Sequence, residues 1–527
     1  MNVRSISILL VLTSCVGIMH MRAQEILSPE QRSAKAREYF INGTTLQLQG
    51  NRHAEAILEF QESLKYDSSS STMTAIARSF LELRKLDRAE SFVRRSLELD
   101  KRNRDSWELL AEILIASGRY DEGVAAYEQV RGLSPTKRQL YTLGRLYEPR
   151  DAKRSIDVFE QICKTDPDVG ILRRLATLYG RIKDTEGQRR SLDRALELDP
   201  DNEDVTEELV ALNVQDGRVA DAHDLCRTWT KRSTNLESSV RVWATLLDEL
   251  ANDSLVTFLY ADDVRAVLDD IPVLYPKVFP LLSMGGGIAL SIRDVERADT
   301  LFDRASILAE GIAEPLLQIG GLYITFDFAK EAVVYLQKHQ PKHPSDPRFL
   351  LLIADAYMNM QDQEKALVHF YAALDLDPSI SEAWLQIAMI YDNQGRADSS
   401  DAAYERVLAM DPRNMFACNN YAYALAVRGQ DLDRARELGW TALQQNPQNA
   451  AYLDTYAWVL YRSGEHDQAL KFIKRAIELE GNPTHYEHFG DILEATGDIA
   501  AAVDAWKTAL EKDPQRTYLR TKIDRYR

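Results

Sequence analysis

Apolar side chains recur at spacings of three and four residues along most of the chain, which predicts a series of short amphipathic helices. Between Arg104 and Pro135 the pattern is complete, with one apolar face formed by Trp107, Leu110, Ala111 and Leu114 and a second by Gly123, Tyr127 and Val130. Gly118 between the two faces permits a tight turn with positive φ, and Pro135 cannot continue a helix. The segment is therefore predicted to be two helices joined by a turn.

Prolines follow these helix pairs at a nearly constant interval of 32 to 35 residues. The early set is Pro135, Pro167 and Pro200, and the late set is Pro344, Pro378, Pro412, Pro447 and Pro514, with Gly481 in the same role. A period in this range indicates an array of one small supersecondary unit. Stacked units of this kind build a long surface for partners rather than a catalytic pocket.

Small and aromatic residues occupy matching places in successive units. One unit reads Trp384, Ala388, Tyr391, Gly395, Tyr404 and Pro412, and the preceding one reads Ile353, Ala354, Tyr357, Ala366, Phe370, Ala373 and Pro378. This pattern resembles the tetratricopeptide repeat over roughly residues 36 to 514. The resemblance implies an all-α fold, an α-solenoid coiled as a right-handed superhelix of about 13 stacked helix-turn-helix units.

The repeat register is lost between about Lys231 and Ile312, where three prolines fall four residues apart, at Pro272, Pro276 and Pro280. We expect an N-terminal array at 36–235, divergent helical repeats at 236–312 with a hinge at 272–287, a C-terminal array at 313–514 and a capping helix at 515–527. Three glycines, 285–287, follow the prolines. They do not predict a phosphate-binding loop, because Ile288 and Ala289 stand where a lysine and a hydroxyl residue are needed.

The N-terminus predicts export. One positive charge before an apolar stretch from Ser5 to Met19 is typical of a leader, expected here at 1–23 with a linker at 24–35. Two processing sites compete: the segment ending at Cys15 resembles a bacterial lipobox, which would make Cys15 the lipidated N-terminus, and a standard cleavage could follow Ala23. Both imply a bacterial envelope protein in the periplasm or at the outer membrane, with membrane attachment only through an N-terminal lipid.

Composition narrows the partner class. The net charge of −17 argues against nucleic acid, because neutralised phosphates supply most of that affinity. Cys163, Cys226 and Cys418 form no disulfide framework, and Cys226 is expected to be a small buried hydrophobe.

No catalytic motif is present, so the chain is predicted not to be an enzyme and to need no cofactor. The one metal-like spacing, His485, His488 and Asp491, lacks the further ligands of a zinc site. We therefore expect these three side chains to be solvated.

In the family, the first helix of each unit lines a concave groove that holds peptides or extended protein segments. Counted from the small residue of each first helix, the groove positions in the last three units are Asn420, Tyr423, Asp454, Trp458, Tyr461, Glu487, His488, Asp491 and Glu494. Aromatic rings beside amides and carboxylates bury apolar ligand area while fixing orientation. Trp458 and Tyr461 could equally pack between adjacent units.

These observations favour a non-enzymatic scaffold of the bacterial envelope that binds proteins or peptides. The cations of a clamp for acidic C-termini are missing, so the acidic groove favours neutral or basic segments. A glycan- or peptidoglycan-associated factor that uses the aromatic groove is the alternative.

Overall fold

The computed structural model describes residues 27–526, and the leader, with Cys15, lies outside them. All regular structure in this range is helical: 30 α-helices and one 3₁₀ turn at Gln340–Lys342, without a strand among the described residues. The predicted all-α class is therefore confirmed. Within each of the two compact units described below, most consecutive helices pack side by side in pairs, and each pair packs on the next, as in an α-solenoid.

The chain divides into two compact units, one ending at Leu246 and one beginning at Leu247. The first unit holds six helix pairs. Its helices are α1 (Pro29–Leu48), α2 (His53–Tyr66), α3 (Ser70–Glu82), α4 (Leu86–Leu99), α5 (Arg104–Ala116), α6 (Tyr120–Arg131), α7 (Lys137–Tyr147), α8 (Ala152–Cys163), α9 (Val169–Arg181), α10 (Thr185–Leu198), α11 (Glu203–Gln215) and α12 (Val219–Arg232).

Three helices with no repeat pattern follow, and the division falls within the first of them. They are α13 (Leu236–Asn252), α14 (Ser254–Leu259) and α15 (Ala261–Leu274). Pro272 lies inside α15, and Pro280 lies in the first turn of the next helix, where its missing amide hydrogen costs no hydrogen bond.

The second unit resumes the pairs at residue 279. Its helices are α16 (Phe279–Ser291), α17 (Val295–Leu308), α18 (Ala313–Thr325), α19 (Ala329–His339), α20 (Pro347–Asn359), α21 (Gln363–Leu376), α22 (Ser381–Asn393), α23 (Ala397–Met410), α24 (Met415–Arg428), α25 (Leu432–Gln445), α26 (Ala450–Arg462), α27 (His466–Leu479), α28 (Pro483–Thr496), α29 (Ile499–Lys512) and the short α30 (Leu519–Asp524).

The periodic prolines end the second helix of a pair. Asp377, Asp411 and Asp513 each follow such a helix with φ between −144° and −137°, and each precedes a proline. This extended conformation is the one that a following proline imposes. Several turns within the pairs need a residue with positive φ, and glycine supplies it at Gly118, Gly395, Gly464 and Gly497.

Small residues on the first helices let the aromatic rings of the second helices approach. A Cβ at Gly144 would lie 2.7 Å from Phe159 Cζ, and one at Gly490 would overlap the Trp506 ring. Phe159 and Trp506 are fully buried. Close packing of these pairs is therefore the reason for the small residues in the sequence pattern.

The stretch without regular helix pairs is shorter in the structure than the range 236–312 predicted from the sequence. Residues 279–308 form an ordinary helix pair, although they fall in the stretch predicted as divergent. Gly286 and Gly287 are buried inside α16, and the predicted hinge at 272–287 stays a prediction. At the N-terminal end, α1 begins at Pro29, within the stretch predicted as a linker.

Cys163, Cys226 and Cys418 are free and buried, and Cys226 is fully inaccessible, as predicted.

Candidate functional site

A cavity of about 440 Å³ lies on the face that the first helices of the second unit form. Its lining comes mainly from α22, α24, α26 and α28, the first helices of four consecutive repeats, and comprises Met389, Asp392, Asn393, Tyr404, Asn419, Asn420, Tyr423, Ala451, Asp454, Thr455, Asn482, Thr484 and His485. Three of the predicted groove residues, Asn420, Tyr423 and Asp454, are among them. The lining is rich in amides and hydroxyls, which pair with neutral polar groups.

Two neighbouring asparagines on α24 leave hydrogen-bonding capacity unused. Asn419 Nδ2 donates to Asn420 Oδ1 at 3.1 Å. Asn419 Oδ1 is buried without a hydrogen-bond partner among the described residues. Such an acceptor costs about 1–3 kcal/mol until a donor reaches it.

Tyr423 adds a protonated hydroxyl to the cavity. Burial, and then the negative charge of Asp454, raises the pKa of Tyr423. Because the neutral phenol is favoured, its O–H is available as a donor throughout the physiological pH range. The cavity therefore offers both donors and acceptors close together.

Asp454 and His488 join two adjacent repeats. His488 Nδ1 lies 2.8 Å from Asp454 Oδ1, and both residues are buried, with 5% and 6% of their surfaces exposed. Their pairing links α26 to α28. His488 therefore contributes to the packing of repeats, and Asp454 lies at the edge of the cavity with one oxygen already engaged.

Trp458 and Tyr461 pack within the same cluster. The Trp458 ring stacks on the His488 ring with their centroids 4.1 Å apart. The centroid of the Tyr461 ring lies 4.9 Å from that of Trp458. Trp458 is half-buried, and its Nε1 is buried without a hydrogen-bond partner in residues 27–526. Trp458 on α26 thus packs against the next repeat through His488 on α28, which is the structural role that the sequence analysis left open beside ligand binding. Contact of either ring with a ligand stays a prediction.

The carboxylates of α28 are engaged by the C-terminal segment of the same chain. Asp491 accepts from Lys522 Nζ at 2.5 and 2.7 Å and from Trp506 Nε1 at 2.9 Å. Glu487 accepts from Arg516 at 2.6 Å and from the Tyr518 hydroxyl at 2.6 Å. These two predicted groove residues therefore already bind basic and phenolic groups.

Glu494 is engaged in the same way, because it accepts from the Tyr526 hydroxyl at 2.7 Å. Below it, Leu519 and Ile523 of α30 are buried against Trp506 and its neighbours. Sequence analysis missed the role of the C-terminal cations. The signal was present, since Arg516 and Lys522 follow Glu487 and Asp491 by 29 and 31 residues, close to one repeat.

The expectation that His485, His488 and Asp491 are solvated was wrong. All three are buried, because the preceding repeat and the C-terminal segment cover α28. Each belongs to a different network: His485 Nδ1 lies 2.5 Å from the Glu480 carbonyl oxygen, His488 pairs with Asp454, and Asp491 pairs with Lys522. Within the described range, no cluster of three or more His, Cys, Asp or Glu side chains is arranged to hold a metal ion.

Comparison with known proteins agrees with the repeat architecture. Sequence profiles of the tetratricopeptide repeat match residues 74–137, 347–380 and 381–414. The last two ranges coincide with the helix pairs α20–α21 and α22–α23. The chain therefore contains tetratricopeptide repeats in these ranges, and in this repeat family the fold serves as a scaffold for interactions between proteins.

Individual relatives are distant and are matched only in part. TPR repeat-containing protein PA4667 of Pseudomonas aeruginosa is 28% identical over 162 residues, which cover 31% of this chain and 28% of that protein. Type IV pilus assembly protein PilF of the same organism is 24% identical over 141 residues, or 26% of this chain and 55% of that protein. The chain thus spans less than two thirds of the length of these relatives.

A solved tetratricopeptide repeat protein from Parabacteroides merdae is similar in fold, with 16% identity and a TM-score of 0.37 over 47% of this chain and 97% of that chain. Among residues 27–526, no helix combines the length and apolar character that crossing a bilayer requires.

Proposed function

We propose that the chain is a non-enzymatic scaffold that holds an extended protein segment in the amide-rich cavity of the second unit. The observation that carries the proposal is the cavity itself, which the first helices of four consecutive repeats line and where Asn419 Oδ1 is left without a partner. An extended peptide presents an N–H and a C=O at each residue, so it can satisfy such amides in series.

The charge of the face supports a neutral or basic segment. Glu487 and Asp491 already hold Arg516 and Lys522 of the chain itself, which supports a preference of this acidic surface for basic groups. An acidic segment would meet like charges from Asp392 and Asp454 at the cavity. Such repulsion disfavours wrong partners more than it adds affinity for correct ones.

Removing the cavity amides or the phenol is expected to weaken peptide binding about tenfold per substitution, because each change leaves a ligand group without its hydrogen bond. The measurement uses peptides selected from a phage-displayed random library on the full chain, with affinities compared for Asn420→Ala and Tyr423→Ala. Asn359→Ala and Tyr260→Ala, outside the cavity, serve as matched controls. Equal affinities in all five proteins would contradict the assignment of the cavity.

We further propose that the protein works in the bacterial cell envelope. The charged-then-apolar N-terminal sequence supports this, together with the similarity to a type IV pilus assembly protein. Neither supports one pathway over another.

Processing of the N-terminus tests the location. Expressed in a Gram-negative host, the protein is expected to be exported and to start at a lipid-modified Cys15 or at Gln24. Intact mass of the purified chain distinguishes the two, and Cys15→Ala should abolish only the first form. An unprocessed chain that starts at Met1 and stays with the cytoplasmic fraction would contradict the envelope assignment.

A glycan- or peptidoglycan-associated role is the second candidate, and the half-buried Trp458 ring is the observation that favours it. One face of that ring is covered by His488, so at most the other face could hold a sugar. Retention on purified peptidoglycan, lost in Trp458→Phe and Tyr461→Leu, would favour this candidate over protein binding.

A further inference from the structure

A second cavity, of about 390 Å³, lies earlier on the same face of the second unit. The first helices α18, α20 and α22 line it, and Phe370 from α21 joins them. Leu317, Leu351 and Leu352 give it apolar walls. It is separate in sequence from the amide-rich cavity, with which it shares no lining residue.

Three carboxylates line this cavity, and Asp355 is the half-buried one, whereas Glu314 and Glu382 are exposed. Asp355 has no hydrogen bond or ion pair with another described residue. Burial raises the pKa of Asp355 to about 6, and the negative charge of Glu382 on α22 adds to the effect. Arg348, the cation that lines this cavity, is held by Asp346 at 2.8 Å and Glu314 at 2.7 Å. Asp355 is thus a half-buried carboxylate to which residues 27–526 supply no cation.

Another repeat shows what binds at the equivalent position. Asp355 directly follows Ala354, the small buried residue of α20. In the same way, Asp491 directly follows Gly490, the small residue of α28, which is the first helix of the last repeat. Asp491 is paired with Lys522, whose ammonium also lies 5.6 Å from the centroid of the Trp506 ring. In the last repeat, then, this position takes a basic side chain placed beside an apolar surface.

We propose that the Asp355 cavity takes a lysine or arginine side chain of a protein segment whose neighbouring residue is apolar and packs on Leu351 and Leu352. The inference rests on the proposed function, since it assumes that extended segments lie along this face. It adds a chemical preference: the segment carries a basic residue, and the chain selects it at Asp355.

Charge and burial favour this occupant over others. The stem of a lysine or arginine is apolar, so it can lie on the leucine walls while its head reaches the carboxylate. Glu382, which also lines the cavity, adds to the attraction for a cation and repels an acidic segment, whereas Glu314 is already paired with Arg348. An ion pair at this half-buried site is screened less by solvent than one on an open surface.

Binding is tested with the library-selected peptides described above. We expect them to be enriched in lysine or arginine beside an apolar residue. Replacing that basic residue by glutamine, or Asp355 by Asn, is expected to lower the affinity about tenfold. The two changes together should cost little more than either alone, because they remove the same contact. Asp375→Asn on α21, an exposed carboxylate without a described partner, is the matched control.

The pH dependence gives a second readout. Wild type should lose affinity for the basic peptides as the pH falls from 7.5 to 5, through the pKa of Asp355, and Asp355→Asn should not. The other charged groups that line the cavity are Glu314 on α18, Arg348 on α20 and Glu382 on α22; α21 contributes Phe370, and α19 contributes no lining residue. A pH profile that is identical in Asp355→Asn would contradict the role of Asp355.

The outcomes separate the two proposals. If selected peptides bind but show no basic preference, or bind Asp355→Asn as tightly as wild type, the Asp355 inference is wrong and the scaffold function stands. If no peptide is selected, the proposed function fails and the inference fails with it. Asp355→Asn is expected to unfold at the same or a higher urea concentration than wild type at pH 7.5, since it removes a carboxylate that burial disfavours, so a loss of binding would not reflect misfolding.

Discussion

Replacing Gly286 by Ala is expected to destabilise the second unit by about 1–3 kcal/mol, whereas the same change at the adjacent Gly287 should stabilise it by about 0.5–1 kcal/mol. Both residues lie inside α16 with ordinary helical geometry, so neither needs the conformational freedom of glycine. The difference comes from what a methyl group would meet.

A Cβ at Gly286 would lie within 2.6 Å of three ring carbons of Phe302, which is fully buried and packs edge-on against Tyr323 at 5.2 Å between centroids. The ring has no free space to move into, so the overlap outweighs the gain in helix propensity. A Cβ at Gly287 would lie 3.8 Å from Leu322, an ordinary contact, so only the gain in helix propensity remains.

Urea unfolding of the two variants, followed by hydrogen exchange in α16 and α17, measures both effects. Comparing the two variants also tests whether close packing or backbone flexibility is the reason for the three glycines. If the glycines serve a hinge, both alanines should act alike and slow exchange across 272–287. Changes of the same sign and size at the two positions would contradict the packing account.

Replacing Lys522 by Met is expected to cost about 2 kcal/mol of local stability at the C-terminal end of the second unit. The change leaves the Asp491 carboxylate, with 11% of its side chain exposed, with Trp506 Nε1 as its remaining described donor. Removing one partner of a largely buried pair leaves a charge without compensation, which costs more than the pair itself contributes. Because the Lys522 side chain is 28% exposed, solvent screens the pair in part, and we expect a smaller cost than for a fully buried pair.

Native-state hydrogen exchange of α28 and α29 is the measurement, and about 2 kcal/mol corresponds to roughly 30-fold faster exchange where local opening limits it. Lys507→Met is the control, because its pair with Asp504 is exposed on both sides and should contribute almost nothing. Adding Asp491→Asn to Lys522→Met should recover part of the loss, since the amide can still accept from Trp506 without a buried charge. Unchanged protection in Lys522→Met would contradict the role of the C-terminal segment as a cover for α28.

Local sequence rules predicted the repeats well. A proline after most second helices, a glycine at several of the turns and a small residue opposite an aromatic ring all act within one unit, so single-unit patterns such as Ala388 with Tyr404 are enough to find them. Other turns within pairs use a non-glycine residue with positive φ, such as Arg84, Lys183 or Gln361. The six-residue α14 was not predicted, because one and a half turns give no usable periodicity.

The candidate site was predicted only in part, because its contacts join residues about one repeat apart. Asp454 with His488 and Asp491 with Lys522 are separated by 34 and 31 residues. Side-chain pairing at that distance depends on the stacking of units, which the pattern of one unit does not fix. Asp355 was missed although its position one residue after Ala354 matches that of Asp491 after Gly490, since groove positions were counted only in the last three units.

Site-specific photo-crosslinking in cells tests most directly whether this face holds protein segments. A photoreactive phenylalanine analogue is placed at Ala451 in the amide-rich cavity or at Gln386 in the Asp355 cavity, which leaves Asn420 and Asp355 intact, and, as a control, at the exposed Asp375 on α21. The account predicts protein adducts at the two cavity positions that exceed those at Asp375, with mass spectrometry locating the crosslinks in extended segments, and with basic residues near those from Gln386. Adducts at Ala451 and Gln386 no stronger than at Asp375, or adducts made of glycan alone, would contradict it.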